Sequence, residues 1–253
     1  MPGLDELADG FNDGTLDTAV RWSGSCGDPD ETAGRARVPC TTGFAGLKSA
    51  STYTLTGNGA ALRLYAPTPD TATTSAASVL VLSSVGGTDA GFIVDPAQNA
   101  VGVYLREGYA DGAAVFLTYS ATDHAWLRIR EDAGTLHWET SPDGTTWTTR
   151  RTAATPAWAA DPDLAFLVEG HRDAGAADFI EVDYFNVPPG QTLALGTATV
   201  TETAQALGRA KTKALAAAAE ADTAQALTAT ITRLDVTLTL SAPRTDWEVS
   251  APW

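Results

Sequence analysis

Alternation of apolar and polar residues near the middle of the chain constrains its fold more than any other feature. The segments Leu127-Arg128-Ile129-Arg130 and Leu136-His137-Trp138-Glu139 both show the period-two pattern of strands with one buried face. Between them, Asp132-Ala133-Gly134-Thr135 predicts the reversal of a hairpin. A second tight turn is predicted at Ser141-Pro142-Asp143-Gly144, where proline and glycine occupy the positions that such turns favour.

The register of this hairpin follows from the same alternation. A four-residue loop sets Ile129 opposite Trp138, which keeps one face apolar and the other charged. The predicted core face consists of Leu127, Ile129, Leu136 and Trp138. The predicted polar face consists of Trp126, Arg128, Arg130, His137 and Glu139.

Similar short apolar runs recur up to residue 187, separated by clusters of glycine, proline, asparagine and aspartate. They amount to about a dozen strands at the spacing of a sandwich, without a convincing amphipathic helix. The segment Asn186-Val187-Pro188-Pro189-Gly190 then breaks the pattern. We therefore predict an all-β domain over residues 1–190 and a separate region over 191–253.

The region 191–253 contains an internal repeat with a period of 20 residues. The block Thr203-Ala204-Gln205-Ala206-Leu207 recurs unchanged at 223–227. Two interpretations stay open: small repeat units that need a neighbour to bury their faces, or a low-complexity linker. Against a linker, a strong alternating strand covers 231–240 and the chain closes on two tryptophans. The residues expected to anchor the chain to a partner are Leu238, Leu240, Trp247 and Trp253.

Charge and cysteine content limit the classes of partner. The formal net charge of -15 argues against binding to nucleic acid or to an anionic membrane surface. No apolar run approaches the roughly 20 residues that a membrane-spanning helix needs. The two cysteines, Cys26 and Cys40, could close a surface loop as a disulfide or remain free thiols, and the sequence leaves both open.

Residues 7–187 resemble the concanavalin A-like lectin/glucanase superfamily, which includes laminin-G-like domains. The resemblance rests on the opening Asp9-Gly10-Phe11-Asn12-Asp13-Gly14 with Trp22, on the strand 126–130, on the turn 141–147 and on the closing strand 182–187. It implies an antiparallel jelly-roll β-sandwich. Residues 191–253 resemble the C-terminal parts of virion proteins of actinobacterial bacteriophages, usually called minor tail proteins.

Hydrolases of this superfamily carry several carboxylates on one strand as Glu-x-Asp-x-x-Glu, because glycoside cleavage needs an acid and a nucleophile on the two sides of the bond. The nearest match here is Glu181-Val182-Asp183, which lacks the second glutamate. From this absence we expect that the chain is not an enzyme.

The resemblance also implies one cofactor, a structural calcium ion held by Asp183 on the closing strand with Asp9 nearby, since oxygen ligands suit that cation. The alternative is that Asp183 is solvated or pairs with an arginine. No other cofactor is expected.

The polar hairpin face of Trp126, Arg128, Arg130, His137 and Glu139 could bind a sugar, because an aromatic platform with planar hydrogen-bond donors is typical of glycan sites. The alternative is a solvated, charge-paired outer face. Trp138 and Trp147 are expected to lie in the core rather than in a ligand site.

These inferences combine into one expected function. The chain is expected to be a non-enzymatic structural or accessory protein of a bacteriophage virion, forming a homo-oligomer on the tail or capsid. Residues 191–253 would attach it to other virion subunits, after assembly in the host cytoplasm. The alternative is a carbohydrate-binding module that attaches to glycans of the host cell surface.

Overall fold

The computed structural model describes residues 1–189 and two further strands, Ala229–Arg233 and Val236–Leu240. Thirteen strands lie in the first part of the chain, and the only helices there are two short 3-10 turns, Leu4–Glu6 and Ala157–Ala160. The strands are β1 Asp30–Thr32, β2 Arg35–Cys40, β3 Ala45–Lys48, β4 Gly59–Tyr65, β5 Ser75–Leu82, β6 Asp89–Asp95, β7 Ala100–Arg106, β8 Val115–Thr118, β9 Trp126–Asp132, β10 Thr135–Ser141, β11 Thr148–Ala154, β12 Ala165–Arg172 and β13 Asp178–Asp183. Among the described residues, no helix is long and apolar enough to cross a membrane.

These strands form two antiparallel sheets. The seven-stranded sheet has the order β1-β2-β13-β4-β9-β10-β11, and the six-stranded sheet has the order β3-β12-β5-β6-β7-β8. Strands that are distant in sequence pair in both sheets, as in β13 with β2 and β12 with β5. The described residues 1–189 therefore fold as the all-β jelly-roll sandwich that the sequence predicts.

The core lies between the inner faces of the two sheets, because strands of both alternate buried and less buried residues. Four aromatic rings form a connected cluster in it. The Trp22 ring lies 5.9 Å from that of Phe11 and 5.3 Å from that of Phe185, and Phe166 is 4.7 Å from Phe185. This cluster joins the opening segment of the domain to its closing strand.

The central hairpin has the predicted register, with Ile129 opposite Trp138. Its strands extend one residue further on each side than expected, so the connecting loop is only Ala133 and Gly134, both with positive φ. That conformation is typical of the two-residue turns that match the twist of paired strands. All four residues of the predicted core face are buried, namely Leu127, Ile129, Leu136 and Trp138.

The first part of the chain contains the opening segment, residues 7–16, and both cysteines. Residues 7–16 form no strand and make a single bridge, Asp9 to Phe185, and Leu7 and Phe11 are buried. Both cysteines are free thiols, Cys26 exposed and Cys40 buried. Burial raises the pKa of the Cys40 thiol to about 11.

A buried ion pair connects the two sheets. Arg151 on β11 donates to Asp111, in the loop between β7 and β8, at 2.5 Å, and to the backbone oxygen of Val103 on β7 at 2.9 Å. Burial disfavours the charged form of Asp111, yet the hydrogen bonds from Arg151 and from backbone amides hold its pKa below the ordinary value.

The chain divides into two compact units, Met1–Thr192 and Leu193–Trp253. In the second unit, β14 (Ala229–Arg233) pairs antiparallel with β15 (Val236–Leu240). The expected role of residues 191–253 as an anchoring region is untested and stays a prediction.

Candidate functional site

The turn that follows the central hairpin is held by its own polar side chains. The Asp143 carboxylate accepts hydrogen bonds from the amides of Thr145 and Thr146, and these bonds lower its pKa. The Ser141 hydroxyl accepts a hydrogen bond from the Gly144 amide at 2.9 Å. Gly144 has a φ of 75°, as the sequence predicts for this position. The turn is therefore rigid up to the residue before Trp147.

Two tryptophans flank this turn in different environments. Trp126 points to the outer face of the seven-stranded sheet but is only 4% exposed, because Gly144 lies directly against its ring and Tyr184 packs at 5.5 Å. The expectation that Trp126 provides an exposed platform is therefore wrong. Trp147, which the sequence places in the core, is only partly buried, and the Arg128 guanidinium lies 4.1 Å from its ring centre.

A cleft opens between this turn and the end of the closing strand. We call it the tryptophan cleft; its volume is about 400 Å³, within the range of small-ligand sites. Its lining includes Trp126, Trp147, Arg128, Ala61, Pro188 and Pro189. An apolar surface that contains an indole and one planar cation is suited to a sugar ring, which has apolar faces and hydroxyl edges.

Three charged residues beside the cleft form one ion cluster. Glu139 is 4% exposed and accepts hydrogen bonds from Arg128 at 2.7 Å and from Arg130 at 3.1 Å. Burial disfavours the charged form of Glu139, but the bonds from Arg130 and Arg128 outweigh it and lower its pKa. Arg128 is therefore fixed in place by charge before any ligand arrives.

The structure brings together most of the predicted glycan residues. Trp126 and Arg128 line the cleft, whereas Glu139 and Arg130 lie beside it in the ion cluster with Arg128. His137 lies opposite Arg130 on the same sheet face and does not line the cleft. Trp147 was missed as a ligand residue, since an aromatic residue after a turn is more often part of a core.

The closing segment forms the opposite wall of the cleft, and Asn186 fixes it there. The side chain of Asn186 donates to the backbone oxygens of Leu4 and Leu7 and accepts from the Ala61 amide at 2.8 Å. Its φ of 50° turns the chain away from the sheet at this point. Pro188 and Pro189, two and three residues later, line the cleft together with Trp147.

The carboxylates on the closing strand are not arranged for cleavage. Glu181 forms an ion pair with Arg35 at 2.5 Å, and Asn186 stands where the hydrolase pattern has its second glutamate. Burial raises the pKa of Asp183, while its Oδ1 accepts the Tyr184 amide.

One further carboxyl lies on the outer face of the other sheet. Glu169 of β12 lies opposite Gly46 and Ser78, and burial raises its pKa. It makes no hydrogen bond within the described part of the chain.

The residues proposed for calcium do not form a cation site. Both oxygens of Asp9 already accept hydrogen bonds, Oδ2 from Arg21 and Trp22 at 2.9 Å each and Oδ1 from the Phe11 amide. A guanidinium therefore occupies the position that a metal ion would need beside this carboxylate. Within residues 1–189, no group of three or more histidine, cysteine or acidic residues is placed to hold a metal. A calcium ion does not fit these side chains.

The predicted anchoring residues lie largely beyond the described structure. Leu238 and Leu240 belong to β15, whose side chains are not described, and Trp247 and Trp253 lie outside the described residues.

Solved structures that match the fold include glucan-cleaving enzymes. The laminarinase from Flavobacterium sp. UMI-01 matches with a TM-score of 0.52 and 10% identity, over 70% of this chain and 96% of that one. The catalytic domain of an endo-1,3-beta-glucanase (laminarinase) from Thermotoga petrophila RKU-1 matches with a TM-score of 0.51 and 12% identity, over 70% and 94%. SCLam, a non-specific endo-beta-1,3(4)-glucanase from family GH16, matches with 0.53 and 9%, over 70% and 88%. No protein-family model and no curated protein matches the chain.

These likenesses show the concanavalin A-like jelly-roll fold that the sequence indicates. They also correct two expectations. A non-enzymatic virion protein was expected, whereas the matching structures are named for glucan cleavage, and none of the three is a virion protein. The expectations of a phage structural role and of a protein that is not an enzyme are therefore both wrong.

Proposed function

We propose that this chain is a carbohydrate-active protein that binds a polysaccharide in the tryptophan cleft. The observation that carries the proposal is the pairing of Trp147 with Arg128 at the mouth of a cleft of about 400 Å³. The cleft thus offers a ring for stacking and a fixed donor for hydroxyl groups.

Preorganisation supports the proposal. Arg128 is held between Glu139 and the Trp147 ring, so little side-chain freedom is lost when a ligand binds. Trp147 follows a turn that its own hydrogen bonds make rigid. Rigid aromatic and arginine side chains in a pocket are the usual energetic centre of a binding site.

The first ligand to test is a β-1,3-glucan, because two of the matching structures are laminarinases. Isothermal titration with laminarin measures the affinity of the intact protein. We expect Trp147→Ala to weaken binding about tenfold, which corresponds to about 1.4 kcal/mol.

A matched control is Phe116→Ala, since Phe116 is an aromatic residue, 67% exposed, on β8 of the other sheet. It should leave laminarin affinity unchanged. Equal losses in the two variants, or no effect of Trp147→Ala, would place the site elsewhere. Laminarin, a mixed-linkage glucan and a mucin O-glycan are tested in parallel, and failure of all three to bind would reject the function.

Glycan cleavage is the second candidate, because the matching structures are named for it. The release of reducing ends from laminarin by the wild-type protein tests it. If wild type releases no reducing ends, only binding remains.

A further inference from the structure

We propose that the polysaccharide extends beyond the tryptophan cleft along β4 into a second cavity, so that a single glycan chain occupies both. This inference rests on the proposed function and specifies its ligand as a polymer rather than a terminal sugar. The two cavities open on the same outer face of the seven-stranded sheet.

The second cavity has nearly the same volume as the first, about 410 Å³, but a more polar lining. Its lining includes two aromatic residues, Tyr65 and Phe179, together with Arg37, Thr68 and the acids Asp178 and Glu181. The Arg37 guanidinium lies 3.8 Å from the centre of the Phe179 ring, which is 36% exposed. An aromatic ring beside an arginine therefore recurs, as in the tryptophan cleft.

Tyr65 in the second cavity is also held by a charged neighbour. Arg35 lies 3.7 Å from the Tyr65 ring centre and forms an ion pair with Glu181, which is opposite Tyr65 in the sheet. These contacts hold Tyr65 in place without a ligand, which lowers the ordering cost of binding there.

The distance between the cavities suits one polymer. Ala61 lines the tryptophan cleft and Tyr65 lines the second cavity, four residues further on the same strand. At about 3.3 Å per residue the two positions are about 13 Å apart. A single sugar cannot reach both sites, whereas an extended oligosaccharide can.

Arg63 lies midway between them on the same face of β4. It pairs with Trp126 on one side and with Asp183 on the other. Its guanidinium stacks 4.7 Å from the Tyr65 ring centre and makes no ion pair with any acid of residues 1–189. The planar donors of Arg63 are thus uncommitted at the point that a bridging chain must cross.

Occupation of two linked subsites predicts that affinity depends on chain length. Once one end of a chain is bound, the other end reaches its subsite at a high effective concentration. Short oligosaccharides occupy one cavity only, so affinity should rise steeply at the length that first spans both.

The experiment is a titration of the full chain with laminari-oligosaccharides from the disaccharide to the heptasaccharide. We expect Phe179→Ala to lower the affinity of the longest members about tenfold and to leave the shortest unchanged. Arg63→Gln should show the same length dependence, which guards against a folding defect in the first variant. Tyr109→Ala is the control, because Tyr109 is 78% exposed and lies outside both cavities.

Trp147→Ala separates the two proposals, since it should weaken binding at every length. Equal wild-type affinity for all lengths, or losses in Phe179→Ala and Arg63→Gln that do not depend on length, would overturn the extended site while leaving the tryptophan cleft intact. Failure of every oligosaccharide to bind would instead reject the proposed function, and the extended site with it.

Discussion

Side chains pack differently on the outer faces of the two sheets. On the seven-stranded sheet, long side chains hold one another by charge, as in Arg128 with Glu139 and Arg35 with Glu181. On the six-stranded sheet, small residues let a neighbouring ring lie flat, as Tyr104 does over Gly102. Both cavities described above lie on the seven-stranded sheet.

The comparison extends to the acidic residues. Glu139 on the seven-stranded face has a lowered pKa because two arginines bind it, whereas burial without such a partner raises the pKa of Glu169 on the six-stranded face. A buried carboxylate is thus stabilised where arginines bind it, as at Glu139, and disfavoured where no arginine in the described structure does, as at Glu169. The difference shows that the charged groups around each carboxyl, and not the shared sandwich fold, set its pKa.

The largest effect is expected where the two sheets are joined. Arg151→Met leaves Asp111 buried without its partner, which should lower the free energy of unfolding by about 3–5 kcal/mol. Thermal or urea denaturation followed by circular dichroism measures the loss. The double variant Arg151→Met/Asp111→Asn should recover most of it, because the uncharged amide still accepts a hydrogen bond from the backbone of Leu105 or Ala113. A double variant as unstable as the single one would show that the loss does not come from the unpaired charge of Asp111.

A smaller effect is expected from Gly102→Ala on the six-stranded sheet. A Cβ added at Gly102 would overlap the Tyr104 ring, so Gly102→Ala should cost about 1–3 kcal/mol of stability. The same substitution in a Tyr104→Ala background should cost nothing, because the ring is gone. Denaturation midpoints of the four proteins test this coupling. Additive effects would mean that the two residues do not interact.

The smallest effects are expected from the two glutamates, and they have opposite signs. Glu139, with a folded pKa below 4.5, contributes stability that is complete above that value and is lost as the pH falls through its folded pKa. Glu139→Gln should therefore destabilise the protein at neutral pH by about 1 kcal/mol, and less in acid, since its two arginine partners are partly exposed and the amide keeps an acceptor.

Glu169 has a folded pKa above 4.5, so its contribution is complete below that value and is lost as the pH rises through the folded pKa. Glu169→Gln should raise Tm slightly at neutral pH and leave it unchanged in acid. Melting curves across the acid range compare the two variants. Parallel curves for Glu139→Gln and Glu169→Gln would contradict the distinction between the faces.

The hairpin shows how much of the candidate site the sequence could predict. Alternation placed Arg128, Arg130 and Glu139 on one face and Trp138 on the other, and the structure confirms both. These outcomes depend on residues within one hairpin, whose register is set by neighbours close in the chain.

The roles of the two tryptophans could not be obtained in that way. Trp126 has the pattern of an exposed residue, but Tyr184 and the turn at Gly144 cover it. Trp147 has the pattern of a core residue, but it lines the cleft instead. The solvent exposure of a side chain on an outer face depends on which distant segment packs against it. Alternation within a strand does not predict that contact.

The sequence by itself determined that the chain is an all-β sandwich, where its central hairpin turns and which hairpin residues are buried. Hydrophobic periodicity and turn residues are local features, so they can be recognised from the sequence alone. Only the tertiary structure decided that Asp9 binds Arg21, that Pro188 and Pro189 complete a cleft with Trp147, and that a second cavity lies along β4. Those contacts join segments far apart in the chain, and they exist only once the two sheets have closed over their common core.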